Sequence, residues 1–134
     1  TGASGHTFIS YLFAEKKGYS KFGTYTGNAN ADGRFVYTGF KPAYVIIKQT
    51  SGSGEHWIIK DNKRGPRNIN TGIDSATLFT SANTAESNRD GMDFLSNGFK
   101  CRDNGGPINS GSYVFMAFAE EPFVSSKGVP ATAG

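Results

Sequence analysis

Residues 43–60 leave this chain little choice of fold class. Ala43-Tyr44-Val45-Ile46-Ile47-Lys48 is β-branched and aromatic, Ser51-Gly52-Ser53-Gly54 is a flexible link, and Glu55-His56-Trp57-Ile58-Ile59-Lys60 runs back in the same style. Branched and ring-bearing side chains suit a pleated surface better than a helix. Pro42 cannot donate to a ladder and marks where the first of these strands starts. A period of two recurs between clusters of Gly, Asn, Asp and Ser. It predicts strands at 7–15, 19–26, 34–40, 43–50, 55–61, 76–80, 94–102 and 112–121. Asp32-Gly33 and Asn97-Gly98 are turn signals, because Gly takes positive φ without strain. Residues 62–74 read as a long surface loop and 82–87 as at most one helical turn. With no crossover helices, the expected fold is all-β: an antiparallel, jelly-roll-like β-sandwich, with a closed barrel as the alternative.

Composition excludes more than it assigns. The chain has 134 residues, 18 of them Gly and 11 Phe, and 37% are hydrophobic, which is enough for one core. No apolar run approaches about 18 residues, so membrane insertion is not expected. Fourteen basic against eleven acidic residues leave a net charge of +3, and only Lys16-Lys17 and Lys63-Arg64 are adjacent cations. A nucleic-acid partner calls for a concentrated basic stripe, so none is expected. Cys101 stands alone, which rules out an internal disulfide and a multi-cysteine zinc site; it is expected to pack as a small apolar residue. A start at Thr1 rather than Met reads as a processed or excised end.

The sharpest feature is one strand written twice. Thr7-Phe8-Ile9-Ser10-Tyr11-Leu12-Phe13-Ala14-Glu15 matches Ser112-Tyr113-Val114-Phe115-Met116-Ala117-Phe118-Ala119-Glu120 at a constant offset of 105 residues, with Phe-Ala-Glu identical. Convergent composition of two buried strands is one explanation. The other is a module that repeats at this spacing and has been cut out of register, so that the first copy closes a neighbouring module. That division sets residues 1–17 apart as an exchange strand, 18–123 as the sandwich and 124–134 as a tail. Both faces of 7–15 are expected to be buried, since Ile9, Tyr11 and Phe13 point one way and Phe8, Ser10 and Leu12 the other. Each large apolar side chain gains about 1.5–3 kcal/mol on burial. Ordering the backbone costs about 1–2 kcal/mol per residue. Satisfied ladder hydrogen bonds therefore decide where such a strand sits.

Four further stretches carry a family resemblance. They are Gly18-Tyr19-Ser20-Lys21-Phe22-Gly23-Thr24-Tyr25-Thr26-Gly27-Asn28, Asp32-Gly33-Arg34-Phe35-Val36-Tyr37-Thr38-Gly39-Phe40-Lys41-Pro42-Ala43, Asp93-Phe94-Leu95-Ser96-Asn97-Gly98-Phe99-Lys100 and Tyr113-Val114-Phe115-Met116-Ala117-Phe118-Ala119-Glu120-Glu121-Pro122-Phe123. In order and spacing the chain resembles, over residues 7–123, an uncharacterised domain found near the C-termini of tailed-phage tail and virion proteins. Lys41 stands where that family commonly has Arg, and Cys101 where Leu is frequent. The resemblance implies structural duty on a virion surface or outside the cell, and it brings no catalytic residue with it.

Site chemistry is sparse. Asn28-Ala29-Asn30-Ala31-Asp32-Gly33 imitates the opening of a calcium loop, yet its first ligand would be Asn and its twelfth position is Gly39 rather than Glu, so it reads as a turn. Asp61, Asp74, Asp90, Asp93 and Asp103 lie in or beside loops, where only tertiary structure could bring them round an ion. No cofactor or metal is assigned. His6 and His56 have no recognisable catalytic partner, and Glu120-Glu121 face opposite ways on a strand, so no enzyme is expected. The expected role is a structural subunit of an extracellular or virion-associated fibre, built from copies of itself by β-strand exchange or addition. Phe8, Ile9, Tyr11, Leu12, Phe13, Tyr113, Phe115 and Phe118 would form the subunit interface. The alternative is a tail-fibre tip domain binding a host-surface glycan on Trp57, Tyr37 and Tyr44, with Tyr113 beside them.

Overall fold

The computed structural model describes residues 5–52, 56–64, 76–88, 91–121, 123–124 and 130–131. Its strands are β1 (Ser20–Thr26), β2 (Phe35–Tyr37), β3 (Pro42–Gln49), β4 (Trp57–Asp61), β5 (Ala76–Phe79), β6 (Ser87–Asn88), β7 (Met92–Leu95), β8 (Gly98–Cys101), β9 (Ser112–Ala119), β10 (Phe123–Val124) and β11 (Pro130–Ala131). A single short helix, α1 (Gly106–Asn109), is described among them, opened by Pro107 in its first turn. One sheet runs β1-β9-β3-β4-β5-β6 and a smaller one β2-β8-β7, with a separate ribbon of β10 and β11; every ladder is antiparallel. The chain crosses between the two main sheets after β1, β2, β6 and β8. The antiparallel all-β sandwich expected is observed, with the strands of the two main sheets divided six to three and β3 to β6 running consecutively in the larger one.

Alternation along the strands builds one core between the sheets. From the large sheet come Tyr25, Val45, Ile47, Ile58, Tyr113, Phe115 and Ala117; the small sheet answers with Val36, Met92, Phe99 and Cys101, and Ile108 of α1 closes one end. Tyr25 stacks on Tyr113 at 4.8 Å and meets Phe99 edge-on at 5.8 Å, while Phe99 meets Phe115 at 5.4 Å. The phenols stay satisfied: the Tyr25 hydroxyl donates to the Ile108 carbonyl at 2.7 Å, and the Tyr113 hydroxyl accepts from the Ser110 amide at 2.8 Å.

Three expectations are corrected. Residues 7–15 form no strand and bury neither face; every residue from 5 to 17 is exposed. The run 94–102 is two strands rather than one, because a tight turn at Ser96-Asn97 inside it prevails over the apolar pattern and folds β7 back on β8 with Leu95 opposite Gly98; neither Gly98 nor Gly33 takes the positive φ expected of it. The Asn97 carbonyl accepts from the Thr38 and Gly39 amides at 3.0 and 3.2 Å, and a Cβ on Gly98 would run into the Val36 carbonyl. Residues 82–86 carry no helix; the helical turn sits at 106–109 instead. Most of the loop expected at 62–74 lies outside the described residues.

Cys101 is fully buried, and burial pushes its thiol up to about 12. Burial also raises the Tyr25 phenol. A thiol held protonated in the fold loses its proton first in the unfolded chain. Folding stability should therefore decline as pH rises from the ordinary value of 9.0 toward about 12. Denaturant titrations across that window should give a shallower decline for Cys101→Ala than for the wild type. Rapid labelling of the native thiol at about pH 8 would contradict its burial.

Candidate functional site

An antiparallel sheet with one face on the core usually shows polar side chains on the other. Here most outward positions of the large sheet are apolar as well, with the polar Ser20, Thr24, Lys48 and Asp61 interspersed among them. Register places Phe22 beside Met116, Met116 beside Ile46, Ile46 beside Ile59 and Ile59 beside Leu78, an apolar row crossing five strands. A second row joins Phe118 to Tyr44, and a third carries Val114, Lys48 and Trp57. These side chains are at best half-buried, and Trp57 is exposed. Phe118 is the hub: its ring meets Phe13 at 5.9 Å, Tyr19 at 6.2 Å, and Phe22 and Tyr44 at 6.1 Å each.

The N-terminal segment stands over this face as a strap. Ser20 Oγ donates to the Ala14 carbonyl at 3.1 Å, and Glu15 takes an ion pair from Lys21 at 2.8 Å and a bond from the Phe22 amide at 3.4 Å. The Lys21 hydrogen bond and that amide hold the Glu15 carboxyl below the usual range. Ahead of Ala14 the strap makes no backbone hydrogen bond among the described residues. Tyr11, Leu12 and Phe13 wall two contiguous hollows of about 880 and 620 Å³, floored by Ile46, Trp57, Met116 and Phe118. Side-chain contact is nonetheless slight: Phe8 is 62% exposed, Ile9 79%, Tyr11 78%, Leu12 95% and Phe13 58%. Five large apolar residues in six positions face water beside an apolar sheet.

The expected interface residues separate accordingly. Phe8, Ile9, Tyr11, Leu12 and Phe13 are available for contact and Phe118 is half available, but Tyr113 and Phe115 are inside the sandwich core. The expected glycan platform divides too. Tyr44 and Trp57 line one hollow on the outer face, Tyr37 lies on β2 beside a separate hollow with Lys17 and Lys21, and Tyr113 is buried. The outer face itself was written in the sequence as unbroken apolar runs, Tyr44–Ile47 and Tyr113–Ala119, rather than strict alternation. Such runs mark strands covered on both sides.

Among the described residues the carboxylates do not converge. Asp61 is bound by Arg64, Asp93 accepts from Arg102 at 2.5 Å, Asp32 pairs with Lys100 and Arg102, and Asp103 accepts from the Gly105 amide at 2.9 Å. Asp74 and Asp90 lie outside the described residues. Among the described residues no three His, Cys, Asp or Glu side chains could hold a metal ion. The Asn28–Gly33 loop is a pinned turn: the buried Asn109 amide donates to Asn28 Oδ1, the Asn30 carbonyl and the Asp103 carbonyl at 3.1, 2.8 and 2.6 Å. His56 shares a hydrogen bond with Ser81 at 3.1 Å.

A family model described as Domain of unknown function (DUF7483) matches residues 1–122, a span that takes in the strap as well as β1 to β9. No curated protein and no solved structure matches the chain.

The strap's exposure has a direct consequence for stability. Leu12→Ser in dilute, monomeric protein should change the unfolding free energy by less than about 0.5 kcal/mol. A loss above about 2 kcal/mol in urea titrations would place Leu12 in a packed core.

Proposed function

Since the chain belongs to the DUF7483 family, whose span includes the exposed strap, we propose that it is a non-enzymatic structural subunit that polymerises head-to-tail into a fibre. The strap of one copy is the donor and the large sheet of the next is the acceptor. The observation that carries this reading is the pairing of two unsatisfied apolar surfaces in one chain: Phe8–Phe13 on the strap, and the row through Phe22, Met116, Ile46 and Ile59 on the sheet. An apolar segment left in water invites association. A donor and an acceptor on different parts of one molecule make a heterologous contact, which propagates unless it closes a ring. The resemblance to a domain of tailed-phage tail and virion proteins favours a fibre outside the cell or on a virion.

Deleting residues 1–15 should leave a folded monomer with an intact thermal transition and no polymer by sedimentation and electron microscopy. Outright unfolding of the truncated chain would assign the strap to its own core and sink the exchange mechanism.

A second reading rests on Trp57 and Tyr44, which line the same open hollow. A tail-fibre tip domain could stack a host-surface sugar there, since aromatic faces bind the apolar side of a sugar ring. In that case a monodisperse monomer should bind on a glycan array, and Trp57→Ala should abolish the signal without lowering thermal stability. Undiminished binding by that variant would remove the outer face from consideration.

A further inference from the structure

We infer that residues 7–11 of a second copy pair antiparallel with the free edge of β1, setting Thr7 opposite Thr26, Ile9 opposite Thr24 and Tyr11 opposite Phe22. This rests on the fibre reading and specifies its acceptor.

β1 is an edge strand, bonded to β9 on one side only. The Ala119 amide donates to the Tyr19 carbonyl at 2.9 Å, and the Gly27 amide donates to the Gly111 carbonyl at 2.8 Å. Antiparallel ladders alternate. Lys21, Gly23 and Tyr25 therefore bond β9, while Ser20, Phe22, Thr24 and Thr26 turn their amides and carbonyls outward; the Phe22 amide donates there to Glu15 Oε2 at 3.4 Å, a side-chain bond that the incoming Tyr11 carbonyl would displace. The chain itself confirms that phase at the near end, where Lys16 and Ser20 exchange two backbone hydrogen bonds at 2.8 and 3.3 Å. Further along, Thr24 and Thr26 meet no backbone partner on that side among the described residues. Neither Pro nor a charged side chain guards those positions, the usual defences of an exposed edge.

The duplicated strand supplies the register. β9 already pairs with β1 antiparallel, placing Ser112 opposite Thr26, Val114 opposite Thr24 and Met116 opposite Phe22. Thr7, Ile9 and Tyr11 are the residues 105 positions earlier. Laid on the other edge in the same phase, Tyr11 extends the apolar row of Phe22, Met116, Ile46 and Ile59 by one strand.

The molecule's own strap cannot take this register. The Lys16–Ser20 bridge fixes a hairpin that, if continued, sets Ala14 opposite Phe22 and Leu12 opposite Thr24. That pairing is out of phase by an odd number of residues, so it turns Ile9 and Tyr11 to the opposite face. Instead of continuing, the strap leaves the edge after Glu15 and lays Phe13 on Phe118. The matched segment must come from another chain.

Thr24→Pro tests the edge, because Pro removes one outward amide and is tolerated where an edge N–H faces solvent. The variant should remain a folded monomer and fail to polymerise, while Thr24→Val, which keeps the amide, should assemble normally. Hydrogen exchange on the unaltered full chain gives an independent readout. The Thr24 and Thr26 amides should exchange at least about 100-fold more slowly in the polymer than in dilute monomer. Polymerisation of Thr24→Pro, or unprotected Thr24 and Thr26 amides within a polymer, overturns the edge assignment and leaves the fibre reading standing. Wild-type protein that stays monomeric at every concentration overturns both.

Discussion

β9 carries the structure because it is apolar on both sides and central on both edges. Its ladders to β1 and β3 place it inside the large sheet. Tyr113, Phe115 and Ala117 turn inward to meet Phe99 and Tyr25, and Val114, Met116 and Phe118 turn outward to floor the open face. An inner row alone would make an ordinary sandwich with a wetted back. The outer row gives that back an apolar surface, and with it a demand for cover that the domain's own strap barely meets.

That demand links the fold to the proposed assembly. Phe118 gathers Phe13, Tyr19, Phe22 and Tyr44 around it, so the strap is anchored only at its near end, by Phe13 on Phe118 and Phe22 and by the bonds to Ala14 and Glu15. From Leu12 back to Phe8 the side chains face water. Burial at about 25 cal/mol per Å² is only realised when the segment is ordered, and ordering costs about 1–2 kcal/mol per residue. A strap lying on a face without ladder hydrogen bonds gains little net. A strap that also pairs with a free backbone edge gains both, and β1 offers such an edge beside the apolar row. The proposed exchange between copies would resolve two deficits with one contact.

Legibility in the sequence followed the range of the interactions. The β3–β4 hairpin was readable because its signals are local: Pro42 at the start, branched side chains throughout, Ser-Gly punctuation after Thr50. The buried Cys101 was readable from type and surroundings. The β7–β8 hairpin is hidden in the sequence because the apolar run 94–102 continues through the Ser96-Asn97 turn, although backbone chemistry at a turn outranks side-chain pattern. The strap's side chains are those of a strand buried on both faces, yet the structure leaves them in water. Period and hydrophobicity describe what a segment can bury and say nothing of whether a partner edge is within reach. The three aromatics expected together divide for a related reason: Tyr37 and Tyr44 are seven residues apart in the chain yet belong to different sheets.

The sequence by itself determined the fold class and the echo between residues 7–15 and 112–120, because strand propensity, turn chemistry and self-similarity are properties of neighbouring residues. Only the tertiary structure decided that the two copies have different fates. One is enclosed by two ladders and a core; the other begins a hairpin at Lys16–Ser20 and abandons it, leaving both itself and the edge of β1 open. Closely similar side-chain chemistry is buried in one place and exposed in the other because hydrogen-bonding edges are limited, and which segment occupies them is settled by how the whole chain packs.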